Sequence, residues 1–345
     1  MSILTSKENS IYTIAEMSAN HSGSLDRAIE IVKAAKDSGA DCLKIQTYMA
    51  ESLTIDCDND YFHINSGMWD GYNLYQLYKE AATPYEWQAD IKKECDKIGI
   101  DFLPTPFDEV GADFLETLDV KAYKIASFEL VHIPLIKHIA KKRKPMIISC
   151  GMGTVEEIQD AIDAIVGEGL HKEKITLLKC TSEYPAKTED MNLLTITDMI
   201  ERFGTKVGLS DHSIGATAPV TAVALGATVI EKHFCLSRDI KNPDSNFSTE
   251  PAEFKEMVEA VNAVNNARGE VRYGPTENEA SSVKFRRSIF AVKDIDKGEL
   301  FTKDNIRIIR PGHGIAPKNY ENLIGAKAKN KYERGQPIKY EDISL

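Results

Sequence analysis

The sequence lacks any run of about 18 consecutive apolar residues, the length that a membrane-spanning helix needs. Its first ten residues, MSILTSKENS, also lack the basic stretch followed by an apolar stretch that marks a secretory leader. Basic residues are in the minority: 42 Lys and Arg stand against 53 Asp and Glu, a formal net charge of -11. Such a surface does not attract polyanions, so we expect a protein that binds neither membranes nor nucleic acids.

Cysteines are few, and none of the six belongs to a CxxC pair. This sparseness excludes a disulfide-stabilised scaffold and is typical of a reducing compartment. We therefore predict a cytoplasmic location.

What the sequence does contain is a regular alternation of short β-branched apolar runs with longer stretches of helical period. The predicted strands are residues 12–17, 42–47, 101–107, 122–127, 146–150, 175–181, 207–212 and 229–235. Eight strands, each followed by a helix over about 270 residues, are typical of a (β/α)8 TIM barrel, an α/β fold. The alternative is an open, doubly wound sheet.

Two regions depart from this alternation. Residues 48–73 form a long insertion rich in aromatic residues, which is typical of a functional loop. From about residue 283, short strand patterns and polar turns replace the strand–helix units. We predict a barrel domain at residues 1–268, a linker at 269–284 and a small, mostly-β domain at 285–345.

Polar residues stand at the carboxyl ends of almost all predicted strands, where a barrel carries its chemistry. Lys44 and Lys124 belong to different strands and are accompanied by Ser127, Ser149 and Ser210. A single buried lysine is often only the partner of a structural carboxylate, whereas this group favours a cradle for phosphate or carboxylate. We therefore predict a small anionic substrate.

Two histidines, His212 and His233, fall at matching depths on adjacent predicted strands. Their imidazoles either form structural hydrogen bonds or converge on one metal ion. Because no cysteine pair is nearby, the second reading indicates an open catalytic site for a divalent ion, not a structural zinc site.

Eight segments, taken in order along the chain, resemble the sialic acid synthase family. They are IAEMSANHSGSLDRA (residues 14–28), LKIQTY (43–48), TPFDEVGADFLE (105–116), AYKIASFE (122–129), KPMIISCGM (144–152), LLKCTSEYPA (177–186), VGLSDHSIG (207–215) and IEKHFCLSR (230–238). The region from RRSIFAVKDIDKGE to IRPGHGIAPK (286–318) resembles the family's C-terminal antifreeze-like (SAF) domain. MWDGYNLYQLYKEAATPYEW (68–87) is most similar to the pseudaminic acid synthase branch.

This resemblance implies an enzyme that condenses phosphoenolpyruvate with an open-chain N-acetylated amino sugar. In the pseudaminic branch the sugar is a 2,4-diacetamido-2,4,6-trideoxy hexose, and the products are a nonulosonic acid, pseudaminic acid, and phosphate.

The resemblance also implies roles for residues at matching positions. Phosphoenolpyruvate would be bound by Lys44, Lys124, Ser127, Ser149, Ser182 and Ser210. The sugar would be contacted by Gln46, Glu129, Tyr184, Asp244 and Arg310, the last from the partner subunit of a domain-swapped homodimer. The catalytic residues would be Glu16, acting on the aldehyde or the attacking water, with His212 and His233, which would bind a divalent metal ion (Mn²⁺, Mg²⁺ or Co²⁺).

Two positions depart from the family pattern. Ser182 stands where neuraminate synthases tend to have Asn, and Cys150 follows Ser149 where the family often has Thr. The first favours the pseudaminic branch, with N-acetylneuraminate or legionaminic acid synthase as the alternatives.

Two further alternatives lie outside this reaction. In a class I aldolase, Lys44, Lys124 or Lys179 would form a Schiff base with a keto substrate. A non-catalytic sugar-binding protein is the other, but it would have no need of Glu16 and two histidines at strand ends.

Overall fold

The computed structural model describes residues 10–344 and divides into two compact units between Gly269 and Glu270. The first nine residues, in which we predicted no secretory leader, and Leu345, at the end of the predicted C-terminal domain, lie outside the described residues. The sequence-based limits of barrel, linker and C-terminal domain stay a prediction.

Eight parallel strands build the first unit. They are β1 (Tyr12–Glu16), β2 (Cys42–Thr47), β3 (Asp101–Pro106), β4 (Tyr123–Ile125), β5 (Met146–Ser149), β6 (Ile175–Cys180), β7 (Lys206–Asp211) and β8 (Val229–His233). Hydrogen bonds join them in the order β3-β2-β1-β8-β7-β6-β5-β4, and β3 and β4 lie side by side. The predicted TIM barrel is confirmed and the open sheet is wrong, because β1 pairs with β8.

Helices follow the strands, as the alternation predicts. They are α1 (Leu25–Asp37), α2 (Ala50–Leu53), α3 (Leu74–Ala81), α4 (Tyr85–Ile98), α5 (Glu109–Thr117), α6 (Ile133–Ala140), α7 (Val155–Gly167), α8 (Thr195–Phe203), α9 (Thr217–Ala224) and α10 (Pro251–Arg268). Local capping starts several of them: Ser24 accepts the amide of Arg27, and Thr154 and Glu157 form a capping box.

The period of two along each strand produces two separate apolar cores. Outward-facing residues such as Ala15, Leu43, Leu177 and Ile230 pack with the helices in one large cluster. Inward-facing residues form a smaller cluster inside the barrel. Inward-facing and outward-facing apolar residues therefore belong to separate clusters.

The second unit is small and β-rich, as predicted. Its elements are β9 (Ser288–Ala291), β10 (Ile306–Ile309), α11 (Tyr320–Leu323), β11 (Lys327–Ala328) and β12 (Ile343–Ser344). The two strand pairs are antiparallel, and Ile289, Phe301, Ile306 and Ile338 belong to a core of the unit's own. Within residues 10–344, no helix combines the length and apolarity needed to cross a membrane.

Candidate active site

The inward positions change character along the strands. Near the amino ends they are apolar, and this inner apolar layer contains Tyr12, Ile14, Cys42, Leu103, Ala122, Ile147, Leu178 and Val229. At the next inward positions toward the carboxyl ends stands a buried charged layer: Glu16, Lys44, Thr105, Lys124, Ser149, Ser210 and Glu231. Alternation therefore delivers the polar residues of different strands to one end of the barrel interior.

The two predicted lysines meet in the charged layer. Lys44 Nζ lies 3.3 Å from Glu16 Oε2 and 2.9 Å from Glu231 Oε1. Lys124 Nζ lies 3.4 Å from the same Glu231 oxygen and donates a hydrogen bond to Ser149 Oγ at 2.7 Å. The Glu231 carboxylate thus forms ion pairs with both ammonium groups.

Burial and ion pairing shift the pKa values of these groups in different directions. Burial raises the pKa of Glu16. Burial opposes ionisation of Glu231 too, but Lys124 and Lys44 outweigh it and lower the pKa of Glu231 to about 2. Burial lowers the pKa of Lys124, whereas for Lys44 the carboxylates of Glu16 and Glu231 outweigh burial and raise it. Glu231 therefore stays ionised, and Glu16 is the carboxyl that takes up a proton more readily.

Two predicted serines converge on a glycine. Ser127 Oγ accepts the amide of Gly151 at 3.1 Å. A Cβ at residue 151 would lie 2.2 Å from Ser182 Oγ and 2.8 Å from Ser127 Oγ, so only glycine fits. The hydroxyls of Ser127 and Ser182 are thus brought together beside Gly151, where they can donate to an oxyanion.

The predicted histidine pair is also brought together. The ring centroids of His212 and His233 are 5.5 Å apart. His212 Nδ1 lies 2.8 Å from the carbonyl oxygen of Thr181, so we place the proton on Nδ1, which leaves the Nε2 lone pair free. His233 Nδ1 is buried and has no hydrogen-bond partner among the described residues.

These donors fit a divalent metal ion. Burial, together with the positive charge of nearby Lys44, lowers the pKa of His233 well below its usual range, which keeps the imidazole neutral and able to bind a metal. Residues 10–344 contain no cluster of three or more His, Cys, Asp and Glu suited to a metal. An ion at this histidine pair would therefore complete its shell with water or substrate oxygens.

A cavity of about 300 Å³ opens beside His233. Its lining contains polar residues, namely Ser18, Gln46, Glu129 and Asp244. It also contains apolar residues, namely Leu53, Ile64, Trp69, Leu77, Phe107 and Phe128. The cavity can therefore take a ligand that has both hydrophilic and hydrophobic groups.

Aromatic rings connect the insertion to the histidine pair. The ring of Tyr184 stacks on His212 at 4.2 Å, and Trp69 lies 5.3 Å from Tyr184. Trp69 Nε1 donates to the carbonyl oxygen of Pro243 at 3.0 Å. The aromatic insertion therefore forms part of the cavity wall.

Four residues predicted to contact a sugar line this cavity: Gln46, Glu129, Tyr184 and Asp244. Gln46 Nε2 donates to Glu16 Oε1 at 3.1 Å and to Ser18 Oγ at 2.9 Å. Burial raises the pKa of Glu129 to about 7, and its Oε2 is buried without a partner in the described part of the chain. Glu129 therefore offers a carboxyl that both donates and accepts near neutral pH.

Arg310 belongs to the second unit. It is exposed, and it immediately follows β10 and precedes Pro311 across a cis peptide bond. Its role across a subunit interface stays a prediction.

Sequence reasoning missed the part played by Glu231. In the sequence it is one of several polar residues at the end of a predicted strand, whereas in the structure it bridges Lys44 and Lys124 and accepts a hydrogen bond from Ser210 Oγ at 3.2 Å. Its inward position between Val229 and His233 was the available signal.

Comparison with known proteins gives matches over both units. The NeuB family model matches residues 31–273, and the SAF domain model matches residues 286–344. The chain is 45% identical over 336 residues to the pseudaminic acid synthase of Campylobacter jejuni, with 97% of each chain covered. It is 43% identical over 332 residues to the pseudaminic acid synthase of Helicobacter pylori, covering 96% of this chain and 97% of that one.

A solved structure agrees with these matches. The N-acetylneuraminic acid synthetase of Leptospira borgpetersenii superposes with a TM-score of 0.71 at 28% identity. The superposition covers 80% of this chain and 91% of that one.

Proposed function

Because the chain belongs to the NeuB family, as its motifs predicted, we propose that it makes pseudaminic acid from phosphoenolpyruvate and a 2,4-diacetamido-2,4,6-trideoxy hexose. The observation that carries this proposal is the connection between the charged layer and the cavity. Gln46 lines the cavity and donates to Glu16, which lies 3.3 Å from Lys44. An anion bound at the lysines would thus stand next to a sugar in the cavity.

Phosphoenolpyruvate is the anion in this proposal. Lys44 and Lys124 supply fixed positive charge in a buried site, where it acts more strongly than in water. Ser149 and Ser210 already hydrogen-bond within the charged layer, and Ser127 and Ser182 stand at Gly151. The carboxylate and phosphate of the substrate would take these donors.

The reaction forms one carbon–carbon bond and one carbon–oxygen bond, the latter from water, and breaks the carbon–oxygen bond to phosphate; the two protons of water end on the former aldehyde oxygen and on phosphate. C3 of phosphoenolpyruvate attacks the sugar aldehyde, whose π electrons move to oxygen while positive charge develops at C2. Water adds at C2, and the C2–O bond then breaks to release phosphate and leave the keto acid. When bound at His212 and His233, a divalent cation supplies Lewis acidity toward the aldehyde.

Glu16 is our choice for the group that moves protons. Its pKa is raised by burial, so it alternates more easily between ionised and protonated forms than an exposed carboxyl does. Gln46 donates to its Oε1, while its buried Oε2 lies 3.3 Å from Lys44 Nζ. In this proposal Oε2 exchanges a proton with the aldehyde oxygen or the attacking water beside that ammonium group.

The apolar wall supports the choice of sugar. A 6-deoxy sugar carries a methyl group that gains from burial against Trp69, Leu77 and their neighbours, whereas a 6-hydroxyl would lose hydrogen bonds there. Phosphate release with phosphoenolpyruvate and a panel of sugars tests this. We expect higher kcat/KM for the trideoxy diacetamido sugar than for N-acetylmannosamine, and the reverse order would indicate a neuraminate synthase.

A matched pair of variants tests whether the insertion is responsible for the preference for the trideoxy sugar. Trp69→Ala should lower the preference for the trideoxy sugar about tenfold, the effect of poorly filling an apolar subsite. Tyr61→Ala, in the same insertion but 90% exposed, should not change it.

The Schiff-base alternative has less support. Glu16 and Glu231 keep Lys44 as an ammonium ion, which is a poor nucleophile. Burial lowers the pKa of Lys124, but its Nζ is held by Glu231 and Ser149. We expect borohydride to trap no adduct with a keto substrate, and an adduct on Lys44, Lys124 or Lys179 would support an aldolase.

Assembly and location complete the proposal. We infer a cytoplasmic enzyme, which is consistent with six free cysteines, five of them buried. We also infer a domain-swapped homodimer in which Arg310 of one subunit completes the site of the other.

Subunit mixing tests the dimer. Arg310→Ala and His233→Ala chains, each inactive alone, should regain about a quarter of wild-type activity after exchange, because half the dimers are mixed and each has one intact site. Verified heterodimers without activity would exclude a contribution of Arg310 in trans.

A further inference from the structure

A buried ion pair, Asp211 with Lys232, stands behind the two histidines on the outer side of the barrel wall. Asp211 and Lys232 face each other in the register of β7 and β8. Their side chains are 0% and 2% exposed, and Lys232 Nζ lies 2.5 Å from Asp211 Oδ2. Leu209 and Ile230, the previous outward residues, belong to the apolar core under the helices. The pair is therefore enclosed by protein.

Both members of the pair also hold Ser213. Asp211 Oδ1 accepts the Ser213 amide at 2.9 Å and its hydroxyl at 2.7 Å. Lys232 Nζ donates to the Ser213 carbonyl oxygen. The residues immediately before and after His212 are thus fixed to the residue immediately before His233.

Stability alone gives a weak reason for charges at this place. Replacing a buried ion pair with apolar residues is often neutral or stabilising, because desolvation offsets the attraction. What such a pair does supply is a defined geometry between the two strands that carry the histidines. The outer groups that orient metal ligands commonly tune metal affinity.

We propose that Asp211 and Lys232 are positioning residues, which form a tether between β7 and β8 that sets the geometry of His212 and His233 for a divalent cation. This inference rests on the proposed metal site. The tether acts through the ligands, and neither of its residues touches the substrate.

The test measures binding of Mn²⁺ alone to the full chain, from the electron paramagnetic resonance signal of free Mn²⁺. Asp211→Asn/Lys232→Met removes both charges, so no buried charge is left unpaired. It should raise the Kd for Mn²⁺ about 10- to 100-fold. If the double variant does not fold, Asp211→Asn alone, which keeps an oxygen for Ser213, should raise the Kd several-fold.

Asp41→Asn is the matched control. Asp41 accepts the amide and hydroxyl of Thr13 at 2.8 and 3.0 Å, at the opposite end of the strands. It should lower the Tm but leave the Kd within about twofold of wild type. Saturating Mn²⁺ should also restore kcat in the tether variant, as a loss of affinity requires.

The His233→Ala variant distinguishes failure of the tether proposal from failure of the proposed metal site. If it loses Mn²⁺ binding while the tether variant binds normally, the tether is refuted and the metal site stands. If His233→Ala binds Mn²⁺ as tightly as wild type, or wild type does not bind it, both proposals fall. An equal loss in Asp41→Asn would also overturn the tether, because general loosening of the barrel would explain it.

Discussion

The inner apolar layer and the charged layer are built from the same strands. A residue of the charged layer lies two positions after a residue of the apolar layer along its strand. Ile147 belongs to the apolar layer and Ser149 to the charged one, and both are almost fully buried. On β8 the same step leads from Val229 to Glu231. Burial is therefore equal in the two layers, while the chemistry changes from packing to ion pairing.

This contrast supports the proposal that the charged layer binds a ligand. Its two lysines share one carboxylate, and Ser149 and Ser210 hydrogen-bond to Lys124 and Glu231. The apolar layer closes the barrel beneath and keeps water out, which strengthens the electrostatic interactions above it. Substitutions in the two layers should consequently have opposite consequences.

The largest effect should come from the histidine pair. His233→Ala should lower kcat about 10³-fold, because loss of several kcal/mol of Lewis-acid stabilisation has that size. The Tm should change by only a few degrees, since the ring stands at the cavity and not in the apolar layer. Wild-type turnover of this variant in chelator-treated buffer would contradict the metal assignment.

A substitution in the apolar layer should lower stability and leave activity nearly unchanged. Ile147→Ala should lower the free energy of unfolding by about 2 to 5 kcal/mol, the range for truncating a buried isoleucine. We expect kcat/KM to remain near wild type at temperatures where the variant is folded. Chemical denaturation together with steady-state kinetics measures both, and a tenfold fall in kcat/KM would mean that the layers are not separable.

The smallest effect concerns Glu129 at the cavity. Its pKa is raised from 4.5 to about 7, so the folded state binds a proton more tightly than the unfolded state does. Stability should therefore fall by roughly 2 to 3 kcal/mol as the pH rises from about 4.5 to about 7. Glu129→Gln should remove this part of the pH dependence of unfolding, and an unchanged profile would show that the carboxyl ionises normally.

Sequence patterns were sufficient for the barrel because alternation and helical period are local. They were less accurate about where each strand begins and ends. The fourth strand, predicted at 122–127, covers only Tyr123–Ile125, since a 3-10 helix begins at Ser127. They also assigned the insertion to a loop, whereas α2 lies within it.

The site was only partly accessible from sequence for a related reason. Lys44 and Lys124 could be chosen as residues at strand ends, but their common partner Glu231 depends on how three strands are aligned. Trp69 and Pro243 are 174 positions apart, and no local pattern predicts their hydrogen bond. Contacts of this kind arise from tertiary packing.

The central claim, that the charged layer binds phosphoenolpyruvate and the apolar layer does not, can be measured directly by calorimetric titration of phosphoenolpyruvate. Lys124→Met leaves Glu231 paired with Lys44, so it removes one cation without leaving a carboxylate unpaired. We predict that it raises the Kd about 10- to 100-fold, the loss expected for one charged hydrogen bond, while Ile147→Ala changes it less than about twofold. An unchanged Kd in Lys124→Met, or an equal loss in both variants, would contradict the account.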